Sequence, residues 1–322
     1  MSIVLTEILK GKRSVALSGH IRPDGDCVGS CMGLYLYLKE NFPQIKTDVY
    51  LEPVADCYTI VQGTEEIRHE IEAGTEYDLF ICLDCGDKAR LGFSAPLFES
   101  AGQTLCISNE AFADFNHIVP DASSTSELVY HLLEDAKISH ACAEALYMGI
   151  AHDTGVFQYS CTSPETMEAA ANLMRKGIKG DEIIEKSYFE KSYVQNQILG
   201  KALLESMMIL DRRCIVSYIS QKDLRFFEAV PSDLDGIVSQ LRQTAGVETA
   251  IFLYEMEPHT YKVSLRSKES VDVSRIAKYF GGGGHVRAAG VTMKGTVHDV
   301  INNISGQIAL QLCGADSGET EC

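Results

Sequence analysis

SVALSGHIRPDGDCVGS, residues 14–30, decides how the chain is read. A short apolar run, Val15 to Leu17, ends at Ser18-Gly19; His20, Asp24 and Asp26 follow, and then an apolar helical pattern begins. The order is strand, polar loop, helix. In open α/β sheets ligands bind beyond the carboxyl ends of such strands. One imidazole and two carboxylates there suit a Mn²⁺-type or Zn²⁺-type site, because both metals accept nitrogen and oxygen donors. Pro23 and Gly25 bend the loop so that its side chains can converge, and the helix that follows is expected to aim its first N–H groups at an anion such as phosphate.

Two more carboxylate groups sit at comparable places. Residues 78–83 (DLFICL) form the continuous apolar run of a strand buried in a parallel sheet, and they end at Asp84, with Asp87 close behind. An apolar helical run over 140–151 leads into His152-Asp153. Close carboxylates repel unless cations lie between them, and a metal pair about 3.5–4 Å apart is the usual arrangement for phosphoryl chemistry. Asp87 is expected to be a cap, and one of His152 and Asp153 to be structural. Cys82 and Cys85, three apart on a strand, are expected to point to opposite faces, which argues against a redox or zinc pair. Cys27 and Cys31 can share a helix face, but no second pair completes a zinc site.

Outward from these groups, residues 6–10, 29–39, 64–72, 96–100, 126–136 and 162–176 read as helices, and 46–51 and 103–107 as further strands. Asp121, Ser123 or Ser124 can cap the helix from 126. Residues 181–205 read as one long polar helix, a connector to a second, smaller domain. There, 214–219, 249–256, 261–266 and 290–293 read as strands, and 233–244, 273–280 and 297–313 as helices. Gly281-Gly282-Gly283-Gly284-His285, with Arg287, lets the backbone approach a ligand and adds positive charge for phosphate; Arg266 ends a strand within reach of the same ligand.

The chain has 322 residues, enough for two cores. No apolar run approaches the ~20 residues that span a membrane, and no signal peptide is read at the N-terminus. Eleven cysteines without a framework fit a reducing, cytoplasmic location. The net charge of −17 opposes long duplex nucleic acid but not a short phosphate substrate beside divalent cations.

Taken together, His20-x-x-x-Asp24-x-Asp26, Asp84 in LDCGD, Asp153 in GIAHDTG and the Gly281–His285 run resemble the DHH phosphoesterases, in particular their small oligoribonuclease and pAp-phosphatase members. The resemblance covers nearly the whole chain. It implies an α/β N-terminal domain with a mostly parallel sheet (1–180), a helical linker (181–210), a smaller α/β substrate-binding domain (211–313) and a disordered tail (314–322). It implies two Mn²⁺ ions, one held by His20 and Asp24, the other by Asp26 and Asp153, with Asp84 between them as a catalytic ligand. Arg266, the four glycines, His285 and Arg287 would grip the base and phosphates, His285 close to the chemistry, and an interdomain cleft would admit only short RNA or nucleotides. The pattern is compatible with a homodimer and implies no membrane partner. The motif that names the family, Asp-His-His, has no counterpart: 104–107 passes straight into Ser108-Asn109 between family-like flanks. In the family that motif supplies a histidine to the second metal and another near the scissile phosphate, so this chain is expected to fold but to be strongly impaired. His117 is expected to be structural rather than a substitute. Two other readings stay open: a nucleotide-binding protein without turnover, and a hydrolase of the linear dinucleotide pApA. A pyrophosphatase of the same family would need a more basic phosphate clamp.

Overall fold

A computed structural model of the protein describes residues 4–108 and 110–316, with side chains as far as Cys313. The chain forms two compact units, Met1–Glu190 and Lys191–Cys322.

The first unit opens with α1 (Leu5–Leu9), β1 (Ser14–Ser18), α2 (Gly25–Asn41) and β2 (Lys46–Tyr50). β3 (Leu79–Leu83), α3 (Ala95–Ser100), β4 (Thr104–Ser108) and β5 (Phe115–Ile118) follow, then α4 (Thr125–Leu132), α5 (His140–Asp153), α6 (Pro164–Met174) and α7 (Gly180–Ile184). Its strands make one sheet in the order β2-β1-β3-β4-β5, every pair parallel. β3 is buried along its whole length, as its unbroken apolar run requires. α2 and α5 cross closely because glycines meet there: a Cβ on Gly29 would lie 2.6 Å from the Ala145 carbonyl oxygen, and one on Gly149 would meet Ser126 Oγ at 1.9 Å. That approach sets the N-terminus of α4 against the start of α2.

The second unit holds α8 (Tyr193–Leu204), β6 (Met207–Ile209), β7 (Cys214–Ile219), α9 (Gln221–Phe227) and α10 (Ile237–Arg242). After them come β8 (Thr249–Glu257), β9 (Thr260–Ser267), α11 (Val273–Tyr279), β10 (Gly283–His285), β11 (Ala288–Lys294) and α12 (Val297–Asp316). The sheet order is β10-β11-β9-β8-β7-β6, mixed because β7 and β8 run parallel while the other pairs are antiparallel.

Several boundaries differ from the sequence reading. The single connector helix over 181–205 is broken. α7 runs into a π-helical turn, Glu185–Phe189, Glu190 is extended, and Ser192 with Gln195 starts α8 through a capping box. Ile183 packs into the first unit's core and Ile198 into the second's. Residues 64–72 give only the three-residue turn Thr64–Glu66, because Arg68 N–H turns aside to the Val49 carbonyl at 2.8 Å. The 233–244 helix is interrupted at Gly236, whose φ of +86° ends one turn before α10 starts. α12 continues to Asp316, beyond the expected start of a tail; residues 317–322 lie outside the described residues. Among the described residues, no helix is long and apolar enough to cross a membrane.

Candidate metal centre

The carboxyl end of β1 delivers His20, and the start of α2 delivers Asp24 and Asp26. Asp24 is the N-cap of α2. Its Oδ1 accepts the N–H groups of Asp26 and Cys27 at 3.2 and 3.1 Å, which leaves Oδ2 facing His20 Nε2 at 3.5 Å. This corrects the expectation of a phosphate on the first N–H groups of that helix, since two of them are already satisfied by the cap. Across the sheet, Asp84 follows β3, and its Oδ2 lies 3.3 Å from the same His20 nitrogen. His20 Nδ1 is 2.8 Å from the Ile21 carbonyl. A proton on Nδ1 therefore turns Nε2 toward the carboxylates, the arrangement metal-binding histidines commonly use.

Asp26 is fully buried. Thr125 N–H donates to its Oδ2 at 2.6 Å and Ser126 N–H to its Oδ1 at 2.9 Å, so the carboxylate also satisfies the N-terminus of α4. Asp153 ends α5 and is open to solvent.

The charges of these groups act on one another. Burial works against a charged His20, but Asp24 and then Asp84 outweigh it and push the imidazole up to about 10. Burial pushes Asp24 up, yet His20 overrides it and holds that carboxyl below its ordinary range. Burial, then the charges of Asp153 and Asp84, drive Asp26 well above it. Asp84 is raised by burial and by Asp24, against the pull of His20. Desolvation by the surrounding protein, then Asp84 and Asp24, push Asp153 up to about 8. Three carboxyls that resist ionisation together are short of positive charge, and a cation would supply it.

Four features here were not anticipated. Asp84 adopts a left-handed backbone, φ +50°. That turn brings Cys85 back beside Cys82, and both join one buried cluster; the opposite-face expectation fails because the strand ends at Leu83. Arg90 draws close enough for its charge to act on Asp84. Thr125 and Ser126 tie Asp26 to α4. Cys27 brings its sulfur into the pocket: suitable donor atoms of His20, Cys27 and Asp84 all lie within 4.8 Å of one another.

Other expectations resolve simply. Asp87 caps the turn Lys88–Ser94 through Arg90 N–H at 3.0 Å. His152 packs edge-on between Tyr58 and Tyr188, each ring centroid at 5.2 Å, and hydrogen-bonds Ser187 Oγ at 3.0 Å. Ser124 is the cap of α4, accepting from Glu127 N–H. His117 lies on β5 in register with Ile107, where burial and then the charge of His131 lower its pKa.

Asp84 N–H donates to the Ile107 carbonyl at 3.1 Å, so the end of β4 borders the centre directly. From there only residues 109–114 return the chain to β5, held by Asn116 Oδ1 accepting from Phe112 and Ala113 N–H at 3.0 and 3.1 Å. Parallel neighbours ordinarily need a crossover of about a dozen residues.

In the second unit, β10 pairs with β11, His285 opposite Ala288, and Arg266 on β9 lies opposite Ala288 on its other side. The expected glycine loop is thus partly a strand. Gly282 and Gly284 are required by close backbone: a Cβ would lie 2.3 Å from the Gly290 carbonyl oxygen and 2.5 Å from that of Ala288. A Cβ on Gly283 would meet nothing within 4 Å, and His285 is exposed. Arg287 Nη1 donates to the Val271 carbonyl at 3.0 Å.

The model of the DHH family N-terminal domain matches residues 14–150, and that of the DHHA1 domain matches 211–310. This chain carries a DHH family N-terminal domain and a DHHA1 domain. The bifunctional oligoribonuclease and PAP phosphatase NrnA of Thermus thermophilus is 27% identical over 305 residues, 91% of this chain and 88% of that relative. The cyclic-di-AMP phosphodiesterase GdpP of Geobacillus thermodenitrificans is 26% identical over 311 residues, 90% of this chain but 46% of that protein. The crystal structure of an exopolyphosphatase-related protein from Bacteroides fragilis superposes with a TM-score of 0.87 at 25% identity, covering 94% of each chain.

Proposed function

We propose that this chain is a divalent-metal-dependent phosphoesterase of the oligoribonuclease and pAp-phosphatase type, strongly impaired because the Asp-His-His element is missing beside its metal centre. The observation that carries the reading is the convergence of His20 Nε2 on Asp24 and Asp84 at 3.5 and 3.3 Å, with Asp26 and Asp153 acting on the same charges.

The donors suit Mn²⁺: one imidazole nitrogen and four carboxylates, on a rim where uncompensated carboxyls hold their protons. His20 and Asp24 would hold one ion, Asp26 and Asp153 a second, and Asp84 would serve both. When bound, such ions polarise the phosphoryl group and lower the pKa of an attacking water. Asp84, fixed by its N–H bond to Ile107, keeps its carboxylate at the rim. Asp26, clamped by Thr125 and Ser126, cannot swing away. Arg90 adds positive charge near Asp84. In the second unit Arg266, Arg287, His285 and the open face at Gly283 would take the base and phosphates. The short β4–β5 connection supports the missing element, because residues added after Ile107 would enter at Asp84 and bring the crossover nearer its ordinary length. The loss of one transition-state donor alone costs ~10²–10³ in rate. A cytoplasmic location and short RNA or pAp as substrate complete the reading.

Hydrolysis of pAp and of short oligoribonucleotides, assayed with Mn²⁺ and with EDTA, tests it. Weak turnover that requires the metal and vanishes in Asp84→Ala is expected; turnover unaffected by EDTA would refute a metal-dependent site. The similarity to GdpP favours one second reading, hydrolysis of the linear dinucleotide pApA, and a kcat/KM for pApA well above that for pAp would select it.

A further inference from the structure

We infer that the pocket also takes a thiophilic divalent cation, Zn²⁺ above all, with Cys27 as a ligand beside His20 and Asp84. The inference rests on reading this loop as a metal site and adds a ligand and a metal to it. A nitrogen, a sulfur and an oxygen donor gathered within 4.8 Å match the mixed set that Zn²⁺ prefers and Mn²⁺ does not. His20 Nε2 and Asp84 Oδ2, at 3.3 Å, already have the separation expected around a tetrahedral ion with bonds of about 2.0–2.3 Å. Asp24 Oδ2, 3.5 Å from the same nitrogen, supplies a fourth donor.

The position of the sulfur depends on Gly19. Cys27 and His20 are both buried, and a Cβ on Gly19 would fall 2.2 Å from Cys27 Sγ. Only a glycine there lets the thiol sit where β1 ends and the metal ligands begin. On binding, the thiol gives its proton to the solvent and the thiolate joins the ion. Zn²⁺ lies above Mn²⁺ in the affinity order of such sites, so it would take His20 and Asp84 away from Mn²⁺ and suppress metal-dependent turnover.

Co²⁺ titration of the whole chain tests this, with bound metal counted by equilibrium dialysis and the near-ultraviolet thiolate-to-Co²⁺ charge-transfer band followed in parallel. The expected result is a band that rises with bound Co²⁺, is lost in Cys27→Ser and Cys27→Ala, persists in Cys31→Ala, and is erased by Zn²⁺ but not by the same concentration of Mn²⁺. Circular dichroism checks that the variants fold, and the wild-type spectrum decides independently of them. Co²⁺ bound without the band, or a band that survives in a folded Cys27 variant, would overturn the thiolate site while leaving the metal reading intact. No bound Co²⁺ and no bound Mn²⁺ would overturn both.

Discussion

Replacing Asp153 with asparagine is expected to stabilise the metal-free protein, although it removes a proposed metal ligand. Asp153 holds its proton up to about 8, pushed there by desolvation and by the charges of Asp84 and Asp24, against an ordinary 3.8. The folded state therefore keeps a proton that the unfolded chain has given up. Stability from this group is complete below about 3.8 and is lost as the pH rises to about 8; above that the loss is constant. At about 1.4 kcal/mol per pH unit the ceiling is about 6 kcal/mol. Solvent reaches Asp153 and screens it, which brings the expected gain for Asp153→Asn to about 1–2 kcal/mol at pH 9. That corresponds to roughly 3–6 °C in Tm for a unit of this size. His20, raised to about 10, adds stability below its ordinary 6.5 that is lost as the pH rises through 10, so it pushes wild type and variant alike in the same direction. Asp24 and Glu127, the latter lowered to about 2, act only at more acidic pH. Thermal melts of EDTA-treated wild type and Asp153→Asn at pH 4, 5, 7 and 9 give the assay. The gap between them should widen up to pH 8 and then level off, and near-saturating Mn²⁺ should reverse the order, since ligand at 100 times Kd adds ~2.7 kcal/mol to whichever form binds it. A gap independent of pH, or a less stable variant at pH 9 without metal, would refute the account of clustered carboxyls.

Gly25→Ala should lower Tm by an amount equivalent to ~1–3 kcal/mol, because the new methyl group would fall 2.2 Å from His152 Cγ; calorimetry that finds no change would show that the His152 ring moves freely. Ser124→Ala should cost ~0.5–2 kcal/mol by removing the cap of α4, read by urea unfolding. Asp84→Ala should reduce bound Mn²⁺ in equilibrium dialysis, and unchanged stoichiometry would rule out a shared ligand. His285→Ala should weaken nucleotide binding in calorimetric titration without moving the melting temperature, since the side chain is exposed.

Much of the centre was legible because short motifs follow strands whose burial is written in the sequence. The unbroken run ending at Leu83 fixes Asp84 on the sheet's carboxyl rim, and the run ending at Leu17 does the same for the His20 loop. What escaped depends on single backbone torsions and tertiary neighbours. The left-handed Asp84 that returns Cys85 to Cys82 is a position where glycine would have been the clear signal, and an aspartate, which visits that region only occasionally, gives a weak one. The bond between Asp26 and the start of α4 joins residues 99 and 100 positions apart, which no local pattern reports. Gly283–His285 becomes a strand only because β11 pairs with it. The break before α8 could have been read: Ser192 and Gln195 have the spacing of a capping box.

The measurement that bears most directly on the central claim is Mn²⁺-dependent hydrolysis of pApA and pAp by this chain beside a version with Asp-His-His inserted after Ile107. The account predicts weak turnover by the chain as it stands and a gain of at least ~10²-fold on insertion, with more Mn²⁺ bound per chain. Full activity without the insertion, or an inserted form no better than the original, would contradict it.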